Sequence, residues 1–239
     1  GKTDEALFWL GKAFFRSGLY DSARVTYEHL LRTFPKSPRA IDAQYTYAWC
    51  LFAAHDFAHA APAFERVITM DSITRYAYDA LARAGDAYYG LNDLARASAL
   101  YNRAVDQPAF NDLRTTRALM MLGLTRMRMD SARSAMKQFA YVSNKYVKSD
   151  VVPEALFDHA LAAYAINLTR DAETSIDRIL RQYPTSTLAP RALFVAGHER
   201  LERNDAAGAI GYLMRGVRDY PRSAELGTTL FTLMEALES

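Results

Sequence analysis

Cysteine is nearly missing from this 239-residue chain: Cys50 stands alone, so no internal disulfide framework can hold the fold. A single thiol does not reveal the redox compartment. Proline and glycine are also sparse, at 8 and 11 residues, which leaves few breakers and favours helix over strand. Excess charge is lacking too. The net charge of +2 gives no general reason to expect a nucleic-acid partner. No apolar run approaches the roughly 18–20 residues that span a bilayer. Gly-rich phosphate loops, nucleophile elbows and Cys/His metal spacings are missing, so no catalysis, cofactor or metal is expected. His55 and His59 are spaced as two ligands on one helix face would be, but they straddle an expected hairpin turn with no third ligand nearby. Cys50, beside Trp49, reads as a buried inert thiol. The chain opens Gly1-Lys2-Thr3-Asp4, without initiator methionine or signal peptide, and reads as a fragment or a processed form.

What is present is apolar and periodic. Half of the residues are apolar and 12% are aromatic, enough for a sizeable core and too much for global disorder. A small residue followed four positions later by a large apolar one recurs as Ala23/Tyr27, Ala60/Phe64, Ala97/Tyr101, Ala135/Phe139, Ala172/Ile176 and Ala209/Leu213. The alanines are 37, 37, 38, 37 and 37 residues apart. Twelve residues before each lies a second small column: Gly11, Ala48, Gly85, Gly123, Ala160 and Gly197. Four residues earlier again stand Leu7, Gln44, Leu81, Leu119, Leu156 and Leu193, with Gln44 the odd member.

A repeat of this length with apolar residues at three- and four-residue spacing predicts two amphipathic helices per unit. The small columns let the two helices of a hairpin cross closely, and Gly85 is expected to face Ala97 there. Breaks such as Ser17-Gly18 and Asn204-Asp205 separate the helices of a hairpin. Phe34-Pro35, Tyr183-Pro184 and Tyr220-Pro221 end the second helices, and Ser37, Ser186 and Ser223 are expected to cap the next ones.

These residues resemble the tetratricopeptide repeat. The first unit matches its signature as Leu7-x2-Leu10-Gly11-x2-Phe14, then Ala23-x3-Tyr27, then Pro35; later units drift, with Arg126, Ala163 and Arg200 in the tyrosine column. The resemblance covers the whole chain and implies an all-α, right-handed α-solenoid of about six hairpins. Repeats are expected at 4–37, 41–74, 78–111, 116–149, 153–186 and 190–223 of one domain, 1–239. A terminal helix at 224–239, with Leu230, Leu233, Met234 and Leu237 on its apolar face, is either a cap or the first half of a seventh repeat. The long period and the Phe/Tyr-Pro-x-Ser tails resemble bacterial envelope members of the superfamily. Examples are the lipoprotein of the β-barrel assembly machinery and the Tol-associated coordinator. This implies a periplasmic or other extracytoplasmic setting, a cytoplasmic one being the alternative.

In this superfamily the first helix of each hairpin lines the hollow side. One residue past the leucine column come Phe8, Tyr45, Ala82, Met120, Phe157, Phe194 and Phe231, and seven further come Phe15, Phe52, Tyr89, Met127, Tyr164 and Leu201. Trp49 joins them, and the expectation is an aromatic ladder for a peptide or protein segment. Residues Leu113 to Ser149 carry eight basic residues against one acid, Asp130, and five of the eight methionines. Arg117 and Arg128 beside Met120 and Met127 therefore predict an acidic, partly apolar partner. The Lys/Asn/Arg carboxylate clamp known from some relatives is not expected, since Trp49 and Asp86 follow Lys12 at the corresponding positions. A structural subunit docked through its outer face, with no free groove, is the alternative.

Overall fold

The computed structural model describes residues 2–70, 75–106 and 113–239, without the side chains of Arg75, Leu113 and Arg114. The junctions expected near residues 74 and 111 and the Arg114 side chain thus lie outside the described residues. Thirteen α-helices and no strand occur among those described: α1 (Lys2–Arg16), α2 (Tyr20–Thr33), α3 (Ala40–Ala53), α4 (Phe57–Met70), α5 (Arg75–Gly90), α6 (Leu94–Val105), α7 (Leu113–Arg128), α8 (Ala132–Lys145), α9 (Val152–Ala165), α10 (Thr169–Gln182), α11 (Leu188–Glu202), α12 (Ala206–Asp219) and α13 (Leu226–Glu238). Packing groups them in two compact units, Gly1–Arg128 and Met129–Ser239. The sequence reading takes 1–239 as one domain. The division falls inside the expected fourth repeat, between α7 and α8.

Within each unit consecutive helices pack in pairs, and the first helices of successive hairpins also touch: α1 with α3, α3 with α5 and α5 with α7 in the first unit, α9 with α11 and α11 with α13 in the second. The alanine column and the large apolar column are completely buried throughout. The glycine column meets the large column most closely: a Cβ on Gly85 would lie 2.8 Å from Tyr101 Cε1, and one on Gly197 2.5 Å from Leu213 Cγ, with the Ala209 carbonyl oxygen further off at 3.3 Å. Gly85 therefore faces Tyr101, where Ala97 was expected. The off-pattern Gln44 is buried and donates from Nε2 to the Ala63 carbonyl at 2.9 Å, so its polarity is satisfied.

The hairpin turns share one backbone device. Gly18, His55, Asn92, Asp130, Asn167 and Asn204 all have positive φ, between 53° and 75°, and they keep the beat of the repeat. A left-handed residue there ends the first helix, and all six are asparagine, aspartate, histidine or glycine, which tolerate or favour such a turn and carry no β-branch. The aromatic before each closing proline, Phe34, Tyr183 and Tyr220, is a C-cap whose N–H donates to Leu30, Ile179 and Gly216 respectively. The serines act differently from expectation. Ser37 and Ser186 hydroxyls accept from the N–H of Arg39 and Leu188, each at 3.2 Å. They brace the turn two residues on, while α3, α11 and α13 begin without a side-chain cap.

The last helix inverts its expected face. α13 is buried through Thr229, Thr232 and Ala236, with Leu233 half-buried, while Leu230, Met234 and Leu237 are exposed. Thr229 continues the register of Ala43, Ala80, Ala118, Ala155 and Ala192, all buried, so α13 docks by the small-residue edge that the earlier first helices use. Leu230 continues the leucine column, which in the earlier hairpins lies on the same side as the glycine column.

Candidate functional site

The first-helix face of the first unit gathers rings and charges. Tyr45 and Trp49, one turn apart on α3, meet edge to face at 6.3 Å, and Tyr76 from α5 lies 4.9 Å from Tyr45. Phe52 follows 5.6 Å from Trp49. All but Tyr76, which is exposed, are half-buried, because Phe64 underlies the α3 rings.

Beside these rings α5 presents Asp79, Arg83 and Asp86, at i, i+4 and i+7 and so on one side of the helix. The Tyr45 hydroxyl donates to Asp79 at 2.5 Å, and Arg83 lies 3.6 Å from Asp79 and donates to Asp86 at 2.5 Å. Asp86 also accepts from Tyr101 at 2.7 Å. The guanidinium of Arg83 stands 5.3 Å from the Trp49 ring centre, yet its Nε has no hydrogen-bond partner. Burial and the facing carboxylates push the Tyr45 and Tyr101 phenols well above their usual range, so both stay protonated donors. The cluster borders a cleft between α5 and α7 whose far wall is Arg117, Ala118 and Met121. Arg117 is 63% exposed and only 3.7 Å from Asp86, so its charge remains presented at the cleft mouth.

The expected ladder is therefore partial. Phe8, Met120, Phe157 and Tyr164 are at most 5% exposed and belong to the core. The three rings each lie beside a cation: Arg39 is 5.2 Å from the Phe8 ring, Arg191 5.2 Å from Phe157 and Arg203 5.4 Å from Tyr164. Phe15 is half-buried against Tyr20, Met127 is half-buried, and Phe194 stacks on His198 at 5.8 Å. Arg128, expected as a free cation, is engaged. It donates to Asn92 Oδ1 at 2.6 Å and lies 4.5 Å over Tyr89, tying the end of α7 to the turn of the preceding hairpin. Arg203 repeats the device with Asn167 and Tyr164 in the second unit. Sequence reasoning passed over Tyr76, Asp79 and Arg83, although the three-charge spacing on α5 could have shown the last two.

In the second unit the corresponding face carries acids. Asp158, one turn after Glu154 on α9, is half-buried, and this desolvation together with Glu154 raises its carboxyl to about 7 against the pull of Arg191. A carboxyl whose folded pKa is raised stabilises the fold in its protonated form. That contribution is full below about 4 and fades as pH rises through about 7. Asp158→Asn should accordingly stabilise the protein by about 2 kcal/mol at pH 8 and by much less at pH 5. Thermal melts of both proteins at the two pH values measure this, and an equal gain at both would show that the Asp158 charge is not the cause.

A tetratricopeptide-repeat family model matches residues 5–37 and another matches 45–112. This is a tetratricopeptide-repeat protein. Residues 114–225 match the model of YfiO, an outer membrane lipoprotein. A tetratricopeptide repeat protein from Parabacteroides merdae superposes with a TM-score of 0.68 at 13% identity, covering 98% of this chain and 100% of that one. PilF of Pseudomonas aeruginosa superposes at 0.61 with 18% identity over 98% and 96%, and YrrB, titled a TPR protein with an unusual peptide-binding site, at 0.62 with 14% identity over 89% and 98%. At such identities the likeness is one of fold. No curated protein matches. The repeat protein is thus an all-α interaction scaffold whose partners are proteins, and none of its described helices is long and apolar enough to cross a membrane.

Proposed function

We propose that this repeat protein is a non-catalytic scaffold in a bacterial envelope complex, and that it holds a partly apolar, acidic protein segment on the first-helix face of its first unit. The observation that carries the reading is the row Tyr45, Trp49 and Tyr76 beside nearly buried charges, with the exposed Arg117 across the cleft. Rings already packed on a rigid helix offer contact area at small entropic cost, and a fixed charged cluster orients what lies on them. Likeness to an outer membrane lipoprotein family supports the extracytoplasmic setting.

Photocrosslinking side chains at positions 76 and 117, in cells that make the natural partners, should capture a partner, while positions 25 and 66, exposed on the second helices α2 and α4, should not. Tyr76→Ala and Arg117→Ala should then weaken the captured partner by about tenfold each, with the fold intact. Crosslinks confined to positions 25 and 66 would replace this reading with that of a structural subunit docked through its outer face.

A further inference from the structure

Of the eight basic residues between Leu113 and Ser149, the seven with described side chains fall into two groups once folded. On α7, Arg117 faces Asp86, Arg126 reaches Asn102 at 3.3 Å, and Arg128 is tied to Asn92. On α8 and just beyond it, Arg133, Lys137, Lys145 and Lys148 are all exposed, and none forms an ion pair with a described residue. The opposite side of α8 is consumed by the core through Ala135, Met136, Phe139 and Val142. Residues 131 to 149 contain no acid at all.

The spacing is regular. Arg133, Lys137, Tyr141 and Lys145 recur every four residues, roughly 6 Å along the helix axis, and so form one stripe. Tyr141 is 46% exposed at its middle. Lys145 is held in place, donating to the Tyr141 hydroxyl at 2.6 Å and lying 5.0 Å and 5.5 Å from the rings of Tyr141 and Tyr146. Cations one turn apart on a helix repel one another, so the stripe carries a local positive potential that an acidic ligand would relieve.

We infer that the outer face of α8 is a second docking surface, for an acidic segment of a protein partner, with Arg133, Lys137, Lys145 and Lys148 pairing its carboxylates and Tyr141 covering an apolar residue between them. Glutamates one turn apart on a helix repeat at the same roughly 6 Å pitch, and alternate residues of an extended strand come close to it. A lipid surface suits the stripe less well. Adsorption of a helix to a bilayer needs a free apolar face, and that of α8 is buried. This surface is independent of the first-helix face, whose residues contribute nothing to it.

A labelled synthetic helical peptide with glutamate at every fourth position and alanine or leucine between is the probe, read by fluorescence anisotropy. Vesicles of pure phosphatidylglycerol form a parallel arm. The full chain should bind the peptide at low salt and lose it as salt rises. Changing Arg133, Lys137, Lys145 and Lys148 together to Glu should weaken the peptide by about tenfold or more, while Lys→Arg at 137, 145 and 148 retains it. The thermal midpoint should stay unchanged because the groups are exposed. A second variant with Gln at the four positions reads the same loss if the reversal disturbs folding. Tyr76→Ala and Arg117→Ala should leave peptide binding intact, which separates this surface from the first-helix face. Peptide affinity unchanged by the reversal, no peptide binding, or binding to the vesicles alone would overturn the assignment.

Discussion

Arg83→Leu should destabilise the repeat protein by about 3–5 kcal/mol, the range seen when one member of a buried ion pair is removed. That is about a third or more of the stability of an ordinary domain. The side chains concerned are 12% exposed for Arg83, 16% for Asp79 and 9% for Asp86, too enclosed for water to replace the lost cation. Two carboxylates would remain on one side of α5, with Arg117, exposed and 3.7 Å from one of them, as their nearest compensation. The Trp49 ring would lose its guanidinium as well. Adding Asp79→Asn and Asp86→Asn to Arg83→Leu should recover much of the loss, because the amides still meet the Tyr45 and Tyr101 hydroxyls without an unpaired charge. Urea unfolding of the three proteins decides the matter. A change below about 1 kcal/mol for the single variant would place the cluster with solvent-screened surface pairs.

Gly85→Ala tests the hairpin crossing and sets two effects of opposite sign against each other. Helix propensity alone favours the alanine by up to about 1 kcal/mol. The new methyl, however, would stand 2.8 Å from Tyr101 Cε1 and 3.0 Å from two further ring atoms. Tyr101 cannot retreat: it is completely buried and its hydroxyl is anchored on Asp86. Overpacking of about 1–3 kcal/mol should therefore win, and the thermal midpoint should fall. Gly211, also inside a helix but with nothing within 4 Å of a prospective Cβ, supplies the contrast, since Gly211→Ala should raise the midpoint. A rise for both variants would mean that the glycine column does not govern helix approach.

The hairpins were legible because their cause is local and recurrent. Each alanine and each large apolar residue in the columns repeats at 37 or 38 residues, and each is completely buried. The site was legible only in part. Tyr45, Trp49 and Phe52 can be found from spacing, since rings one residue past the leucine column or a turn further share a helix face. Spacing does not say how deep such a ring lies. Phe8 and Phe157 hold the same column position as Tyr45, yet both are core residues, lying beside Arg39 at the start of α3 and Arg191 on α11. The charge of the fourth repeat was equally visible, but not its division between tied arginines on α7 and exposed cations on α8.

The amino-acid sequence by itself determined that the chain is all-α and which columns pack, because periodicity along one chain is enough to define the buried face of each helix. Tertiary structure decided which of the remaining residues meet. The ion cluster of Asp79, Arg83 and Asp86 with Tyr45 and Tyr101 joins three helices, the staple of Arg128 on Asn92 spans 36 residues, and α13 docks by its threonines with Leu230 and Leu237 outward. Burial and pairing of this kind depend on what a neighbouring helix places opposite a side chain, and no period within a single helix carries that information.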